Sequence, residues 1–322
     1  MLKTKILSAL KHTEGYVSGE QLSTELGMTR SAVWKYIKAL KADGYKIDSV
    51  RNKGYRLIAS PDKLDEEDIT NGLETTLVGK KLILLDEVDS TNEEVKRLAA
   101  QGAEDGTVVA AEHQTSGRGR FGRVWDSDNG GLYFTILLRP ELPPSDIASI
   151  TLAAGYGVCL AVREYSGADA RIKWPNDVII GNRKICGILT EMAAQSDRID
   201  YVAIGIGINL NHRLFPEEIA YKATSLLLET GKQVDRSTFL ALVLNHLDKV
   251  LTRFLVSLSV EDLDDFKAIC ATIGRRVEVD RAGSKLSGIA TDITSGGELV
   301  VTDDDGVNVV VGSGEVTVQG IY

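Results

Sequence analysis

Cysteine and histidine are scarce in this chain, which has three cysteines and four histidines among 322 residues. Cys159, Cys186 and Cys270 are too few and too scattered for a disulfide framework or a zinc site, and the histidines are equally dispersed. No Ser-His-Asp or Cys-His arrangement is recognisable. We therefore expect neither a structural metal nor a side-chain nucleophile.

Long apolar runs are also lacking. No segment approaches the roughly 18 consecutive apolar residues that mark a membrane-spanning helix. The first segment, MLKTKILSALKH, has neither the apolar stretch nor the small-residue cleavage site of a signal peptide. We expect a cytoplasmic protein without a membrane partner.

The formal net charge of −9 is distributed unevenly. Residues 1–60 contain 11 lysines and arginines against 5 acidic residues, whereas the rest of the chain contains 26 against 41. A basic first fifth on an acidic body predicts that only the N-terminal segment contacts nucleic acid.

The first 60 residues have the pattern of a winged helix-turn-helix. Three apolar stripes with helical spacing predict three helices: Leu2, Ile6 and Leu10; Leu22 and Leu26; and Val33, Ile37 and Leu40. Ser18 and Gln21 form a capping box for the second helix, which ends at Gly27. Strands at 45–50 and 55–58 flank a basic hairpin tip. We assign residues 1–62 to this DNA-binding domain.

Seven polar or aromatic residues are candidate DNA contacts, because they lie off the apolar stripe of the third helix or at the hairpin tip. They are Arg30, Ser31, Trp34, Lys35, Lys38, Arg51 and Lys53. A small helical interaction domain with a solvated basic face is the alternative interpretation.

The remainder divides into two further domains. Over residues 65–268, strands predicted at 81–85, 107–112, 132–138, 171–174, 184–192 and 201–210 alternate with helices at 92–101, 146–165 and 237–258. Residues 271–322 contain short β-branched segments between Gly/Asp turns, which predicts a small β-barrel. The expected class is α+β, with a mixed-sheet α/β domain at the centre.

The stretch SGRGRFGRVW, residues 116–125, contains the glycine spacing of a dinucleotide-binding fingerprint. That motif requires a helix after its last glycine, but an apolar strand follows here, so we reject the NAD interpretation. The segment is either a mobile basic surface loop or a glycine-hinged loop. In the second case it closes Arg118, Arg120 and Arg123 over an anion.

Four more motifs lie at or near the ends of predicted helices and strands. DSTN (89–92) begins a helix, where Ser90 or Thr91 predicts a capping box, although such a hydroxyl-rich start also suits a polar ligand. KWPND (173–177) ends a strand, RKICGIL (183–189) enters another, and GIGINL (205–210) has the strand glycines of a close ligand approach.

In this order the five motifs closely resemble those of the biotin–protein ligases, and with the winged helix the whole chain resembles the bifunctional bacterial form. The resemblance implies a class II synthetase-like catalytic domain and an SH3-like C-terminal barrel. It also implies activation of biotin by ATP to biotinyl-5′-AMP, transfer to a lysine of the biotin carboxyl carrier protein of acetyl-CoA carboxylase, and repression of the biotin operon with the adenylate as corepressor. A ligand-promoted homodimer would read the operator, and Mg²⁺ would accompany ATP, near Asp177, without a firm metal site.

The resemblance also implies roles for individual residues. Lys184, Arg118 and Arg120 are the candidate catalytic residues. The candidate biotin- and ATP-binding residues are Ser90, Thr91, Asn92, Gln114, Gly117, Arg118, Gly119, Arg120, Trp125, Lys173, Asn176, Asp177, Lys184, Gly187 and Asn209.

The chain departs from the pattern between Asn211 and Leu228, where some relatives carry a tryptophan over the adenine and this chain has none. Phe215, Tyr221 or the turn at 223–225 would close that end of the pocket. Three alternatives stay open: a ligase without operator binding, a biotin-sensing regulator without ligase activity, and a lipoate or octanoate transferase.

Overall fold

The computed structural model describes residues 2–141, 143–144, 147–195, 198–257, 266–281 and 284–322. The chain forms two compact units, Met1–Lys63 and Leu64–Tyr322.

The first unit is a helix-turn-helix followed by a hairpin, as the sequence predicts. Its elements are α1 (Leu2–Lys11), α2 (Gly19–Glu25), α3 (Arg30–Ala42), β1 (Lys46–Val50) and β2 (Gly54–Ala59). The predicted apolar stripes meet in one core of buried side chains around Ile6, Leu22 and Val33, except that Leu2 is 41% exposed. Burial of these stripes is what holds such short helices together, since isolated helices of this length are marginal in water.

The predicted capping box of α2 is present only in part. Ser18 Oγ accepts a hydrogen bond from the Gln21 backbone N–H, and Thr29 caps α3 in the same way. The return half of the capping box is missing, because the Gln21 side chain donates to Glu25 instead.

The second unit is built on a seven-stranded mixed sheet of order β3-β4-β5-β9-β8-β7-β6, in which only β3 and β4 are parallel. Its strands are β3 (Lys81–Val88), β4 (Thr107–Gln114), β5 (Gly131–Leu138), β6 (Ala170–Lys173), β7 (Asp177–Ile180), β8 (Arg183–Ala194) and β9 (Ile199–Asn209). Its helices are α4 (Glu66–Asn71), α5 (Thr91–Ala100), α6 (Ile147–Ser166), α7 (Glu217–Ala220), α8 (Leu226–Thr230) and α9 (Arg236–Ser257).

Helices cover both faces of this sheet. Val109, Leu137 and Ala203 point to α5 on one face, and their chain neighbours point to the core beneath α6 and α9 on the other. Strand β5 is therefore buried along its whole length, as a strand covered on both faces must be.

By length and composition, α6 is the one described helix that could cross a membrane. Eleven of its residues are buried, and it packs against α9 and against strands β6, β7 and β8. A helix packed in this way lies in the core of the domain.

The C-terminal segment forms a five-stranded antiparallel sheet, the architecture expected of the small barrel. Its strands are β10 (Arg276–Arg281), β11 (Ser284–Ile293), β12 (Leu299–Asp303), β13 (Asn308–Val311) and β14 (Glu315–Val318). It docks on the central sheet through Trp174, whose indole N–H donates to the Gly297 carbonyl (2.9 Å). This contact brings β14 to the same sheet end as the KWPND turn.

Sequence patterns do not predict β7 or the short helices α4, α7 and α8. Strand β7 begins at Asp177, inside a stretch whose proline and Asn-Asp pair are typical of turns. Of the predicted helix bounds, residue 146 and residue 258 lie outside the described residues, as do residues 258–265 of the catalytic segment.

Candidate active site

A cavity of about 780 Å³ opens on the central sheet. Strands β8 and β9 form its floor, and its walls are the start of α5, the 116–125 loop, the turn between β6 and β7, the 212–223 segment and β14. Loops gathered over a rigid sheet in this way are the usual setting of a ligand site.

One end of the cavity is lined by neutral polar groups that are already paired with each other. The backbone N–H of Thr91 donates to Gln114 Oε1 (2.8 Å), and Gln114 Nε2 donates to Ser127 Oγ (2.8 Å). Asn92 Nδ2 donates to Glu191 Oε2 (2.7 Å) and its Oδ1 lies 2.7 Å from Thr135 Oγ1. These internal bonds fix the side chains before any ligand arrives.

Ser90 differs from these neighbours. It occupies the N-cap position of α5 with a residue exposure of 2%, yet its side chain makes no cap hydrogen bond. The capping box predicted at this helix is therefore wrong for Ser90. Ser90 lines the cavity, and its hydroxyl is not used by the helix cap.

Three glycines let aromatic and polar side chains lie directly on the sheet. A Cβ atom at Gly207 would be 2.5 Å from Trp125 Cε2, one at Gly187 would be 2.7 Å from Trp125 Cζ3, and one at Gly205 would be 2.0 Å from Asn92 Oδ1. The strand glycines were predicted to mark close approach by a ligand or another backbone, and in the structure the side chains of Trp125 and Asn92 occupy that space. The buried Trp125 Nε1 has no hydrogen-bond partner.

The 116–125 loop folds over this floor as a closed turn. Trp125 N donates to the Gly117 carbonyl (2.9 Å), and Gly119 N donates to the Arg123 carbonyl (2.7 Å). Phe121 adopts φ 57° inside a single 3₁₀ turn, Arg120–Gly122. No α-helix follows Gly122 before β5, which agrees with rejection of the NAD motif.

The three arginines of this loop have different partners. Arg118 Nη1 pairs with Glu93 Oε1 (2.7 Å) at the start of α5. Arg123 pairs with Glu315 of β14. Arg120 donates to Asn176 Oδ1 (3.1 Å) and to the Gly314 carbonyl (3.3 Å). Burial lowers the pKa of Arg120, and the nearby charges of Asp177 and Glu315 oppose that shift.

The other end of the cavity is a cluster of charges. Lys184 Nζ lies 2.6 Å from Asp177 Oδ1 and 5.1 Å from the centre of the Trp125 ring. The Lys173 ammonium is buried and donates to the Val316 carbonyl (3.3 Å). The Tyr322 hydroxyl donates to Asp177 Oδ2 (2.6 Å). Three cations therefore surround one carboxylate when Arg120 is included.

The protonation states of this cluster follow from burial and charge. Burial disfavours the Asp177 anion, but Lys184 and Lys173 outweigh it and hold its pKa below the ordinary value. Burial lowers the pKa of Lys173. Burial and the Asp177 charge raise the pKa of Tyr322. Asp177 is thus an anion and Tyr322 a neutral donor at physiological pH.

The segment after β9 closes the third side of the cavity. The His212 ring lies 5.6 Å from the Phe215 ring, and burial lowers the pKa of His212. Of the residues predicted to replace the missing tryptophan, Phe215 and Tyr221 line the cavity, as does Ala223 from the turn at 223–225, whereas Thr224 and Ser225 do not.

The residues that line the cavity do not form a binding site for a metal ion held by the protein alone. No group of three His, Cys, Asp or Glu side chains in the described ranges could hold one. Asp177, the carboxylate expected nearest to Mg²⁺, has one oxygen on Lys184 and the other on Tyr322. We therefore derive no step through Mg²⁺.

Every predicted biotin- or ATP-binding residue except Gly117 lines this one cavity. Gly117 lies just outside, where a Cβ would be 2.3 Å from the Trp125 carbonyl oxygen, so it permits the loop closure. Sequence reasoning missed the contribution of the C-terminal sheet: Gly314, Glu315, Val316 and Tyr322. No local signal marks these residues, because their role depends on docking at Trp174.

The candidate DNA contacts lie on the surface of the first unit. All seven of Arg30, Ser31, Trp34, Lys35, Lys38, Arg51 and Lys53 are exposed. Trp34 is 58% exposed, and Lys38 Nζ lies 5.6 Å from its ring centre. A large exposed aromatic among cations on a helix surface is the composition of a recognition surface.

Comparison with known proteins agrees with this division of the chain. Residues 3–56 match an HTH domain, residues 84–209 match the biotin/lipoate A/B protein ligase family, and residues 272–318 match the biotin protein ligase C-terminal domain.

Two curated relatives carry the name bifunctional ligase/repressor BirA. The Bacillus subtilis protein is 37% identical over 91% of this chain and 91% of its own length. The Escherichia coli protein is 30% identical over 98% of this chain and 96% of its own length. The solved structure of the Aquifex aeolicus biotin protein ligase with biotin and ATP superposes with a TM-score of 0.66 and 33% identity, covering 74% of this chain and all of that one.

The fold and cavity thus define an enzyme with an attached helix-turn-helix unit, whose cavity is lined by neutral polar groups at one end and by cations around a carboxylate at the other. The chain belongs to the biotin protein ligase family.

Proposed function

We propose that this protein is an ATP-dependent biotin–[acetyl-CoA-carboxylase] ligase and a repressor of the biotin operon. The observation that carries the ligase proposal is the polarity of the cavity on the central sheet, with neutral polar groups at one end and a cation cluster at the other. Biotin has the matching polarity, since a neutral ureido ring and a carboxylate stand at opposite ends of an apolar chain.

In this proposal the ureido ring lies against Ser90, Thr91 and Gln114, with the apolar chain along the Trp125 indole and Gly187. The biotin carboxylate then reaches Lys184. Asn176, Asp177, Lys173 and Asn209 surround the nucleotide, with the adenine towards the 212–223 segment. The Aquifex aeolicus ligase, solved in complex with biotin and ATP, supports this pair of ligands.

The first step joins two anions. A biotin carboxylate oxygen attacks the α-phosphorus of ATP, the bond to the β-phosphate oxygen breaks, and pyrophosphate leaves with both bonding electrons. Lys184, Lys173 and Arg120 offset the repulsion and hold the two reactants in line. Lys184 must leave Asp177 to do so, and the incoming carboxylate and phosphate replace that partner.

The second step transfers biotin to protein. A lysine amine of the biotin carboxyl carrier protein attacks the acyl carbon of biotinyl-5′-AMP, the amine loses a proton, and AMP leaves. The adenylate must be protected from water between the steps, and the closed loop held by Arg120 and Trp125 provides that cover.

The repressor part of the proposal rests on the first unit and on the two BirA relatives. The exposed basic surface of α3 and the hairpin would read an operator half-site. The adenylate would act as corepressor by promoting a two-fold dimer of this cytoplasmic protein.

The test is biotin-dependent exchange of labelled pyrophosphate into ATP by the purified chain, with octanoate and lipoate in parallel. The proposal predicts exchange with biotin alone. Exchange with lipoate or octanoate instead would identify a different acid, and no exchange by folded protein would leave a regulator without ligase chemistry. Binding of the adenylate-loaded protein to the promoter of a biotin operon, with Trp34→Ala as the impaired variant, tests the repressor part separately.

A further inference from the structure

Tyr322 extends the C-terminal sheet into the cavity. Gln319 N donates to the Arg276 carbonyl (2.9 Å), and the 2%-exposed Ile321 forms a bridge with Val318. This turn fixes the backbone immediately before Tyr322. Tyr322 lines the cavity although it belongs to neither the 116–125 loop nor the central sheet.

Both the hydroxyl and the aromatic ring of Tyr322 contact charged groups of the cluster. Its hydroxyl donates to Asp177 Oδ2 (2.6 Å), and Lys173 Nζ lies 4.3 Å from the centre of its ring. The remaining oxygen of Asp177, Oδ1, forms an ion pair with the Lys184 ammonium (2.6 Å). The carboxylate is therefore held from two sides, and its rotation would break one contact or the other.

The protonation states suit this arrangement. Tyr322 keeps its proton because its pKa is raised by burial and by Asp177, so it can only donate to the carboxylate. A neutral donor holds Asp177 without neutralising it. A fourth cation at the same place would compete with Lys184 for the anion.

We infer that Tyr322 is a positioning residue for adenylate formation, because it fixes Asp177 and Lys173 and thereby the starting place of the Lys184 ammonium. This inference rests on the proposed function. It makes the C-terminal sheet part of the catalytic apparatus through one hydroxyl.

A purely structural role would consist of packing the C-terminal sheet against the central one. The variant Tyr322→Phe separates the two roles, since it keeps the ring, its burial and its contact with Lys173 and removes only the bond to Asp177. Tyr165→Phe is the matched control, because Tyr165 is a partly exposed tyrosine on α6 that does not line the cavity.

The experiment measures single-turnover formation of biotinyl-5′-AMP by the full-length protein, by the control Tyr165→Phe, and by three variants: Tyr322→Phe, Asp177→Asn and the double variant. Tyr322→Phe is expected to lower the rate constant roughly 10-fold, as loss of a hydrogen bond to a charged group does, in protein that is folded at the assay temperature and has an unchanged affinity for biotin. If Tyr322 acts through Asp177, the double variant is no slower than Asp177→Asn alone.

Additive losses in the double variant, or a normal rate in Tyr322→Phe, would overturn the inference while leaving the ligase proposal intact. A wild-type protein that makes no adenylate would overturn the proposed function, and this inference with it.

Discussion

The two ends of the cavity are built on opposite plans. At the neutral end, Thr91, Asn92 and Gln114 are tied by bonds within the protein, so their positions do not depend on a ligand. At the charged end, Lys184 is held by an anion that a substrate can replace. The difference indicates a division of labour, in which the rigid end selects the acid and the exchangeable end carries out the chemistry.

The largest effect is expected at the charged end, from Lys184→Ala. Removing the cation that faces both reacting anions should slow adenylate formation by roughly 10²- to 10³-fold. Pyrophosphate exchange at saturating biotin and ATP measures it. The exposed Lys232→Ala is the control for loss of a lysine, and an equal effect of both changes would remove Lys184 from the mechanism.

A substitution on the sheet floor of the cavity should weaken biotin binding, because it displaces the Trp125 indole. An alanine Cβ at Gly207 would be 2.5 Å from Trp125 Cε2, so Gly207→Ala must move the ring by about an ångström. We expect roughly 100-fold weaker binding of biotin by titration calorimetry. Gly155→Ala is the control, since its Cβ would be at an ordinary 3.6 Å from Ile188 Cδ1. Normal binding by Gly207→Ala would show that Trp125 is dispensable.

A smaller effect is expected from loosening the 116–125 loop, which covers the adenylate in the proposed mechanism. Arg120 ties the loop to Asn176 and to Gly314, so Arg120→Ala loses two hydrogen bonds made by a charged group. We expect release of adenylate to rise roughly 10-fold or more. The readout is biotinylation of bovine albumin in the absence of carrier protein. Arg183→Ala, which removes a more exposed arginine paired with Glu229, is the control; if albumin stays unlabelled with both, the loop does not retain the adenylate.

The smallest effect is expected at the neutral end, from Ser90→Ala. Because Ser90 makes no cap bond, this change should leave the melting temperature nearly unchanged, unlike Ser225→Ala, which removes a hydroxyl that does cap α8. The affinity for biotin should fall roughly 10-fold, with the rate at saturation preserved. A clear loss of stability in Ser90→Ala would assign this serine to the fold.

Local sequence signals predicted most of this architecture, and the resemblance of five short motifs to the biotin–protein ligases predicted the binding residues that line the cavity. Apolar periodicity located the long helices and strands, and the short motifs located the residues that meet there. Strand β7 was missed because Pro175 and Asn176 resemble turn chemistry, although Asp177 already begins to pair with Gly187. The hydroxyl of Ser90 was misjudged because a cap position does not determine whether the side chain turns towards the helix.

Contacts made across long chain separations could not be predicted in the same way. The pairing of Arg120 with Gly314 and of Asp177 with Tyr322 joins segments more than a hundred residues apart. Such contacts depend on how the C-terminal sheet docks, and neither periodicity nor motif spacing encodes that orientation. The tie between Arg118 and Glu93 is likewise visible only in the folded loop.

The most direct test of the division of labour compares Lys184→Ala with Ser90→Ala in one assay. Single-turnover formation of biotinyl-5′-AMP, followed over a range of biotin concentrations at saturating ATP, separates the affinity for biotin from the rate constant at saturation. The account predicts a large loss of the rate constant in Lys184→Ala and a loss of affinity alone in Ser90→Ala. Losses in the same parameter for both variants would contradict it.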